Sequence, residues 1–574
     1  MNRRLTWIAV AAIVAFYAWL GLVVLVPEAV YSGDIGVKYV QAQALAEKRF
    51  ASLDISYPGD FLDPAREFSP LRPPFVIKTA GETQAIFPPA SAVLQAVAVR
   101  AAGFRGMIVV SILAAAVVLI ASWRMAPAGY GLAIVLAIGL GGPLWFYAVS
   151  GWEHAPAVAL GTAAFAVALR SQRLPFVAGV LVGAGAALRD EVVLLAPGLL
   201  LAVWIRERGW RRLVAAAAGV AVPLLLAGAI EVWWFHRPPA AHLRHAVHLL
   251  QSALHLTSEP NPDVPVLRPM TPRERYDTVV TYWMFGRGTD RQVAAFVAGL
   301  VAALFVRWKW RSSAGLFVWL VAFGVTTAGD VWEVLTAPKW LAGLIRVAPY
   351  AVFAILPLAL GSDPGRQFTH PLGSDPGRRF THPLGSDPRR RFQGVVAVTA
   401  GVYLLIAYAG VDTSGGKSLG PRLLLPLIPL LCASAVVVMA SYLRSSNVFD
   451  RAVGWTGVTM VLMAAAIHLG GTVPAYVQRN ADDASAVIAA AASPVRIVVV
   501  DDMFTAQLLF PLYNRKIIML ADTVEAGGRL GALLAQQRLD ALMVSRNVEP
   551  TIALPPLRLA RTDLKGRMVV QTYR

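Results

Sequence analysis

Long apolar segments separated by short polar connections make up most of the chain. A membrane-spanning helix needs about 20 consecutive apolar residues. Stretches that approach this length lie near 5–26, 106–123, 130–149, 155–169, 174–188, 191–205, 213–232, 292–306, 314–329, 343–360, 394–411, 423–440 and 452–471. We expect the short pair at 174–188 and 191–205 to tilt or to extend into their loops. The pattern predicts an α-helical polytopic membrane protein with about 13 transmembrane helices.

The composition supports this prediction. Hydrophobic residues make up 57% of the sequence and charged residues only 15%, whereas soluble domains contain about 25% charged residues. The net charge of +18 comes mainly from connections between apolar segments. We therefore expect the basic residues to contact anionic membrane lipids rather than nucleic acid. The single cysteine, Cys432, lies in an apolar segment, which excludes a disulfide framework and a cysteine metal site.

The sidedness of the chain depends on residues 84–103, which contain two prolines and carry Arg100. If this segment is an interfacial helix on the outer side, the basic connections "RSQR", "RERGWRR" and "RWKWR" lie in the cytoplasm. If it spans the membrane, they all lie outside. The first arrangement satisfies the positive-inside rule. We therefore expect a bacterial inner-membrane protein with a cytoplasmic N-terminus, an uncleaved signal anchor and an extracytoplasmic C-terminus.

Two regions depart from the membrane pattern. Within the transmembrane domain, 1–471, residues 361–393 contain a repeat of "GSDPGRQFTHPL", which predicts a turn-rich, Arg-rich cytoplasmic loop. Beyond it, "VRIVVVDDMF", "RKIIMLAD", "LDALMVS" and "RMVVQTYR" predict strands, and "TAQLLFPLY" and "EAGGRLGALLAQQ" predict helices between them. This alternation indicates a small extracytoplasmic α/β domain over 472–574.

Ionisable residues recur in the segments that this topology places outside. The first outward loop, 27–105, begins with "YSGDIGVKYVQ". The residues of interest in this loop and in three later turns are Asp34, Glu153, His154, Arg189, Asp190, Glu191, Lys417 and Arg422. Charged groups close to lipid are costly and are seldom kept without a use.

Carboxylates combined with basic residues at a lipid surface suit the transfer of a group from a lipid phosphate. Cations stabilise the charge that develops on the leaving phosphate, and a carboxylate removes the proton of the incoming hydroxyl or amine. Asp34 fits the base, and Arg189 with Arg422 fits the phosphate clamp. Alternatively, Asp34 caps the helix that follows it, Glu153 and His154 pair with Arg189 at a helix end, and the basic residues extend toward lipid headgroups.

The order of the segments resembles that of the GT-C glycosyltransferases, especially the protein O-mannosyltransferase, aminoarabinose transferase and rhizobial lipopolysaccharide transferase-like group. The similarity lies in "SGDIGVKYVQAQAL", "IFPPASAVLQAVAVRAAG", "PLWFYAVSGWEHAPAVAL", "GVLVGAGAALRDEVVLLAPGLLL" and "GGKSLGPRLLLPLIPLL", and it leaves the tail outside.

The resemblance implies an extracytoplasmic site with a polyprenyl-phosphate sugar as donor and a lipid, glycan or protein as acceptor. By the same resemblance, Asp34 is the catalytic base, Glu153 is a second catalytic acid that organises the site or an ion, and Arg189 contacts the donor phosphate. We expect Arg422 and Lys417 to bind the donor phosphate as well. His154, Asp190 and Glu191 would shape the site. Many relatives have Asp-Glu where this chain has Asp34-Ile35, so a divalent cation stays an open question.

Two other classes of function compete with this interpretation. A transporter or flippase of lipid-linked sugars would place charges at mid-membrane and would contain inverted repeats, but the acids lie at the ends of apolar segments. A scaffold for envelope enzymes would not depend on any single carboxylate. The histidines of 236–255 lack a zinc-site pattern and predict either a solvated amphipathic helix or a surface that contacts the acceptor.

Overall fold

The chain folds as a multi-pass, mostly helical membrane protein in a computed structural model. The structure describes residues 3–27, 29, 34–79, 81–171, 173–207, 209–236, 251, 270–286, 289–310, 312–336, 343–356, 388–410, 419–547, 550 and 552–574. Seven helices in these ranges are long and apolar enough to cross a bilayer: Arg3–Val24, Pro89–Met125, Trp210–Trp233, Asp290–Trp310, Pro388–Gly410, Arg422–Leu443 and Val448–Ala492. Helical residues also overlap every other predicted apolar stretch. The full number of about 13 crossings stays a prediction, because several of these helices are short or broken.

The described helices before the C-terminal sheet are α1 (Arg3–Trp19), α2 (Ile35–Glu47), α3 (Pro89–Met125), α4 (Gly131–Leu140), α5 (Leu144–Val149), α6 (His154–Arg170), α7 (Pro175–Leu188), α8 (Ala196–Glu207), α9 (Trp210–Trp233), α10 (Pro272–Tyr276), α11 (Asp290–Trp310), α12 (Ala314–Thr336), α13 (Leu344–Val347), α14 (Pro388–Gly410), α15 (Ile428–Leu443), α16 (Val448–Ala466) and α17 (Val473–Ala492). Short 3₁₀ or π-helical segments lie at Leu20–Val24, Asp190–Leu195, Asp277–Met284, Pro349–Ile355, Arg422–Leu427 and Ile467–Thr472. The strands β1 (Val76–Thr79) and β2 (Glu82–Ala85) form an antiparallel hairpin in the first loop.

A sharp bend divides α3 into two parts. Ala102 and Gly103 have non-helical backbone angles, and Gly103 has a positive φ of 58°, which glycine adopts without steric cost. Across the bend, the Ala98 carbonyl lies so close to Gly106 that a β-carbon there would be 2.0 Å from its oxygen. The part of α3 before the bend therefore runs in a different direction from the apolar part after it. An interfacial helix that leads into a membrane-spanning helix requires such a change of direction.

The C-terminal part contains a five-stranded mixed sheet. Its strands are β3 (Ile497–Val500), β4 (Ile517–Leu520), β5 (Ala541–Ser545), β6 (Leu559–Lys565) and β7 (Met568–Tyr573), in the order β4-β3-β5-β7-β6. The first three are parallel, and helices α18 (Met503–Leu509) and α19 (Val524–Gln536) connect them. The elements predicted in the tail coincide with β3, β4, β5, β7 and these two helices, while β6 was not predicted.

The tail shares its hydrophobic core with the first loop. Val37 and Val40 of α2 are buried in the same cluster as Ala506 and Leu509 of α18. The backbone N–H of Leu520 donates to the carbonyl of Phe68 over 2.7 Å. The tail therefore packs directly on α2, the helix that follows Asp34, although it lies more than four hundred residues away in sequence.

Candidate functional site

Helix α2 presents an acid and a base on one face. Asp34 precedes the first residue of the helix, but its side chain makes no capping hydrogen bond, so the capping interpretation is wrong. Its Oδ2 instead accepts a hydrogen bond of 2.7 Å from the Nζ of Lys38. Residues four apart face each other on a helix, and both side chains are buried.

The turn before α6 brings a second carboxylate to the same ammonium. Gly151 has a positive φ of 73°, and this left-handed conformation lets the chain turn sharply before Glu153. The Oε1 of Glu153 then accepts from the Nζ of Lys38 over 2.7 Å, and its Oε2 lies 3.4 Å from the amide of Gln95. Lys38 therefore links two acids that are more than a hundred residues apart in sequence.

Arg189 joins the site from the end of α7. Its Nη1 lies 3.0 Å from Glu153 Oε1 and its Nη2 lies 2.7 Å from Glu191 Oε1. The guanidinium is thus held between two carboxylates. Asp190, which lies between these residues in sequence, is exposed to solvent and does not share the burial of its neighbours.

Arg422 is held more loosely than the other cations. It begins the short helix before α15, and its Nη1 lies 3.7 Å from Asp34 Oδ2. Its Nε is buried and has no hydrogen-bond partner among the described residues. The hydroxyl of Tyr147 donates to the carbonyl of Leu419 over 3.0 Å, which fixes the turn that carries Arg422.

An aromatic cluster encloses His154. Its ring lies between those of Tyr147 and Trp152, with centroids 5.3 and 4.9 Å away. His154 is buried, and neither of its ring nitrogens has a hydrogen-bond partner in the described part of the chain. Buried polar groups are nearly always paired, so these nitrogens are suited to meet water or substrate.

Asp34, Lys38, Glu153, Arg189, Glu191 and Arg422 form what we call the ionic network. It contains three carboxylates and three cations and is electrically balanced. Burial raises the pKa of Asp34, but the charges of Lys38 and Arg422 outweigh burial and hold this pKa below its ordinary value. Burial likewise raises the pKa of Glu153, and Lys38 and Arg189 bring it down below its ordinary value. Both acids are therefore ionised at neutral pH.

One carboxylate oxygen of the network can accept a proton from a substrate. Asp34 Oδ2 is engaged by Lys38, whereas Asp34 Oδ1 is buried and has no hydrogen-bond partner within the described residues. An ionised carboxylate oxygen is a pure acceptor. It can therefore take a proton from a hydroxyl or amine that reaches it.

The structure brings most of the predicted site residues together. Asp34, Glu153, Arg189, Glu191 and Arg422 lie in one connected network, and Lys417 lies outside the described residues. Sequence reasoning missed Lys38, although the four-residue spacing from Asp34 in a predicted helix was a usable signal.

Two cavities differ in their relation to this network. One of about 10 Å³ is lined by Lys38, Gln41, Phe87 and Gln95 among others, and it has room for about one water molecule. Another of about 290 Å³ lies between α11 and α12 and is lined by Phe296, Trp319, Phe323 and Arg346 among others. The second cavity is large enough for a ligand fragment, but none of its lining residues belongs to the ionic network.

Comparisons with known proteins reveal similarities of overall fold. No protein-family model and no curated protein matches the chain. The solved structure of apo ArnT from Cupriavidus metallidurans is 15% identical, with a TM-score of 0.38 over 99% of this chain and 97% of that chain. The apo oligosaccharyltransferase of Archaeoglobus fulgidus is 10% identical, with a TM-score of 0.46 over 95% of this chain and 70% of that chain.

A second Archaeoglobus fulgidus structure, AglB in complex with an inhibitory peptide and a dolichol-phosphate, is also 10% identical. Its TM-score is 0.43 over 93% of this chain and 69% of that chain. Because all three TM-scores lie below 0.5, the case for a function rests on the residues of the site.

Proposed function

We propose that the protein is a membrane glycosyltransferase that moves one sugar from a polyprenyl-phosphate donor to an acceptor outside the cytoplasm. The observation that carries this proposal is the pairing of a buried, ionised Asp34, one of whose oxygens has no hydrogen-bond partner among the described residues, with a loosely held Arg422 3.7 Å away. Glycosyl transfer from a lipid phosphate needs a base and a phosphate-binding cation in one site, and Arg422 reaches the phosphate by leaving its contact with Asp34.

Asp34 acts as the general base in this proposal. As the acceptor oxygen or nitrogen bonds to the anomeric carbon of the sugar, its proton passes to Asp34 Oδ1. The bond between that carbon and the phosphate oxygen breaks, and its electron pair stays on the phosphate. Attack from the side opposite the phosphate inverts the anomeric centre.

Arg422 binds the donor phosphate. Its Nε is unpaired among the described residues and its contact with Asp34 is long, so it can turn toward a phosphate at little cost. This movement would also withdraw a positive charge from Asp34, raising its pKa toward the ordinary value and making it a stronger base. Lys417 is a second candidate for contact with the phosphate.

Arg189 and Glu153 have a supporting role. Arg189 is already paired with two carboxylates, so it stays in place when the donor binds. It acts on the phosphate through its positive charge rather than by moving to contact it. Glu153 holds Lys38 and Arg189 in place, and His154 with its aromatic neighbours shapes the space next to them. Asp190 is exposed and has at most a peripheral part.

This function requires the ionic network to lie on the outer side of the inner membrane, with the N-terminus in the cytoplasm and the tail outside. The positive-inside pattern of the basic connections supports that sidedness. The acceptor, whether lipid, glycan or protein, would approach from the same side.

Mass spectrometry of a deletion strain tests the proposal. A strain that lacks the protein should accumulate a polyprenyl-phosphate sugar and lose one sugar from an envelope lipid, glycan or protein. Reintroduction of the wild-type chain should reverse both changes. Normal levels of lipid-linked sugars and of the envelope glycans would overturn the glycosyltransferase proposal in favour of a transporter or scaffold.

A further inference from the structure

Lys38 lies between the two carboxylates that would be the core of a metal site. Its Nζ is 2.7 Å from Asp34 Oδ2 and 2.7 Å from Glu153 Oε1. It also lies 4.1 Å above the centre of the Phe87 ring, where the face of an aromatic ring attracts a cation. The ammonium is thus held on three sides and is buried.

We propose that the Lys38 ammonium takes the place that a divalent cation would take between Asp34 and Glu153, so that the proposed transferase works without a metal ion at this site. The resemblance of the sequence to known transferases left a divalent cation open, and the residues present do not fit one.

Space is the first reason for the poor fit. Mg²⁺ binds oxygen at about 2.0–2.1 Å and keeps several water molecules. The cavity next to Lys38 measures about 10 Å³, which is room for about one water molecule. Lys38 lines this cavity and neither carboxylate does, so the cavity gives a hydrated ion no room beside the lysine.

Charge is the second reason. The ionic network already has three cations for three carboxylates, and a divalent ion would add two positive charges next to a buried ammonium. Elsewhere in the described residues, no group of three or more His, Cys, Asp or Glu side chains could hold a metal ion. The charges of Lys38, Arg189 and Arg422 therefore neutralise the carboxylates of the network.

The proposed role of Lys38 is that of a positioning residue. By binding Asp34 Oδ2, it orients Oδ1 toward the acceptor, and by binding Glu153 it joins Asp34 to Arg189 through one chain of contacts. This catalytic consequence rests on the proposed function. The occupation of the cation position does not, and it can be tested without turnover.

Titration of the purified full-length protein with Mn²⁺, followed by the electron paramagnetic resonance signal of free Mn²⁺, tests this inference. The wild type should show no Mn²⁺ site that depends on Asp34, as judged against Asp34→Asn. Lys38→Ala should gain an Mn²⁺ site that is at least about tenfold tighter than any Mn²⁺ binding by the wild type, on the scale by which neighbouring groups alter metal affinity. Lys38→Ala combined with Glu153→Gln should return to the wild-type result, because one of the two carboxylates is lost.

Three outcomes decide the question. An Mn²⁺ site in the wild type that Asp34→Asn removes would overturn the inference, and so would an affinity that is unchanged in a folded Lys38→Ala. If Lys38→Ala does not fold, Lys38→Met keeps the side-chain volume without the charge, and the wild-type titration still decides. Transfer by the wild type should survive chelation with EDTA. Chelator-sensitive transfer restored by Mn²⁺ would contradict the inference and leave the proposed function standing.

Discussion

Gly36, two residues after Asp34, packs against the backbone carbonyl of Gln507 in helix α18 of the C-terminal part. A β-carbon added to Gly36 would lie 2.3 Å from that oxygen, which is far inside van der Waals contact. Only glycine lets the two helices approach this closely. The tail therefore packs against α2, the helix that follows Asp34 and carries Lys38. We infer that this contact helps to keep both side chains in position next to Glu153.

Replacing Gly36 with alanine tests this role of the tail. The extra methyl group should force α2 away from α18 and lower the free energy of unfolding by about 1–3 kcal/mol, as overpacking usually does. Transfer should fall with it, because Asp34 moves with α2. Gly528→Ala is a matched control, since its β-carbon would meet nothing within 4 Å. Equal melting temperatures and activities for the two variants would contradict the inference.

Much of the candidate site was predictable from the sequence because it depends on sidedness. Glu153, Arg189 and Arg422 lie at the ends of apolar segments and Asp34 lies shortly after one, and the basic connections predict that these ends share one face of the membrane. The contact of Gly36 with Gln507 was not predictable, because no local pattern relates two residues so far apart. Lys38 was missed for a different reason: a lysine in a mixed-polarity helix is ordinarily solvated, and only the position of Glu153 makes it a buried bridge.

Removal of the Glu153 charge should destabilise the whole protein. Glu153→Gln would leave Lys38 and Arg189 with one carboxylate fewer in a buried setting, and breaking a buried ion pair costs about 3–5 kcal/mol. Thermal unfolding in detergent measures this loss. Glu67→Gln is the control, because Glu67 is exposed and forms a salt bridge with the exposed Arg529, and such surface pairs contribute little. If Glu153→Gln is as stable as the control, the charge of Glu153 does not contribute to the free energy of unfolding as proposed.

Substitutions of Arg422 should act on catalysis more than on stability. Arg422→Ala should lower kcat/KM by about 10²–10³-fold, the usual effect of losing one group that stabilises developing charge. Arg422→Lys should recover part of this loss, because lysine keeps the charge but not the paired geometry. Kinetic assays with the accumulated lipid-linked sugar as donor measure both. If alanine and lysine at this position both behave as wild type, Arg422 does not contact the phosphate.

The pH dependence follows from the lowered pKa values of Asp34 and Glu153. A carboxyl group with a lower pKa in the folded state stabilises the fold above its unfolded pKa of about 4, and this contribution is lost as the pH falls further. Both groups stay ionised between about pH 5 and 8, so kcat/KM, which reports the free enzyme, should show no acidic limb from them in that range. A limb with a midpoint near pH 6 that shifts or disappears in Glu153→Gln would contradict these assignments.

The most direct test of the account is the return of Asp34→Asn to the deletion strain, followed by mass spectrometry of the lipid-linked sugar. Asparagine keeps the shape of the side chain but cannot take the proton of the acceptor, so the variant should leave the donor accumulated when it is compared with the wild type at matched levels of folded protein in the membrane. Asp60→Asn, which changes a more exposed acid of the same loop that pairs with Arg66, should clear the donor as the wild type does. Clearance of the donor by Asp34→Asn at the wild-type rate would contradict the assignment of Asp34 as the base.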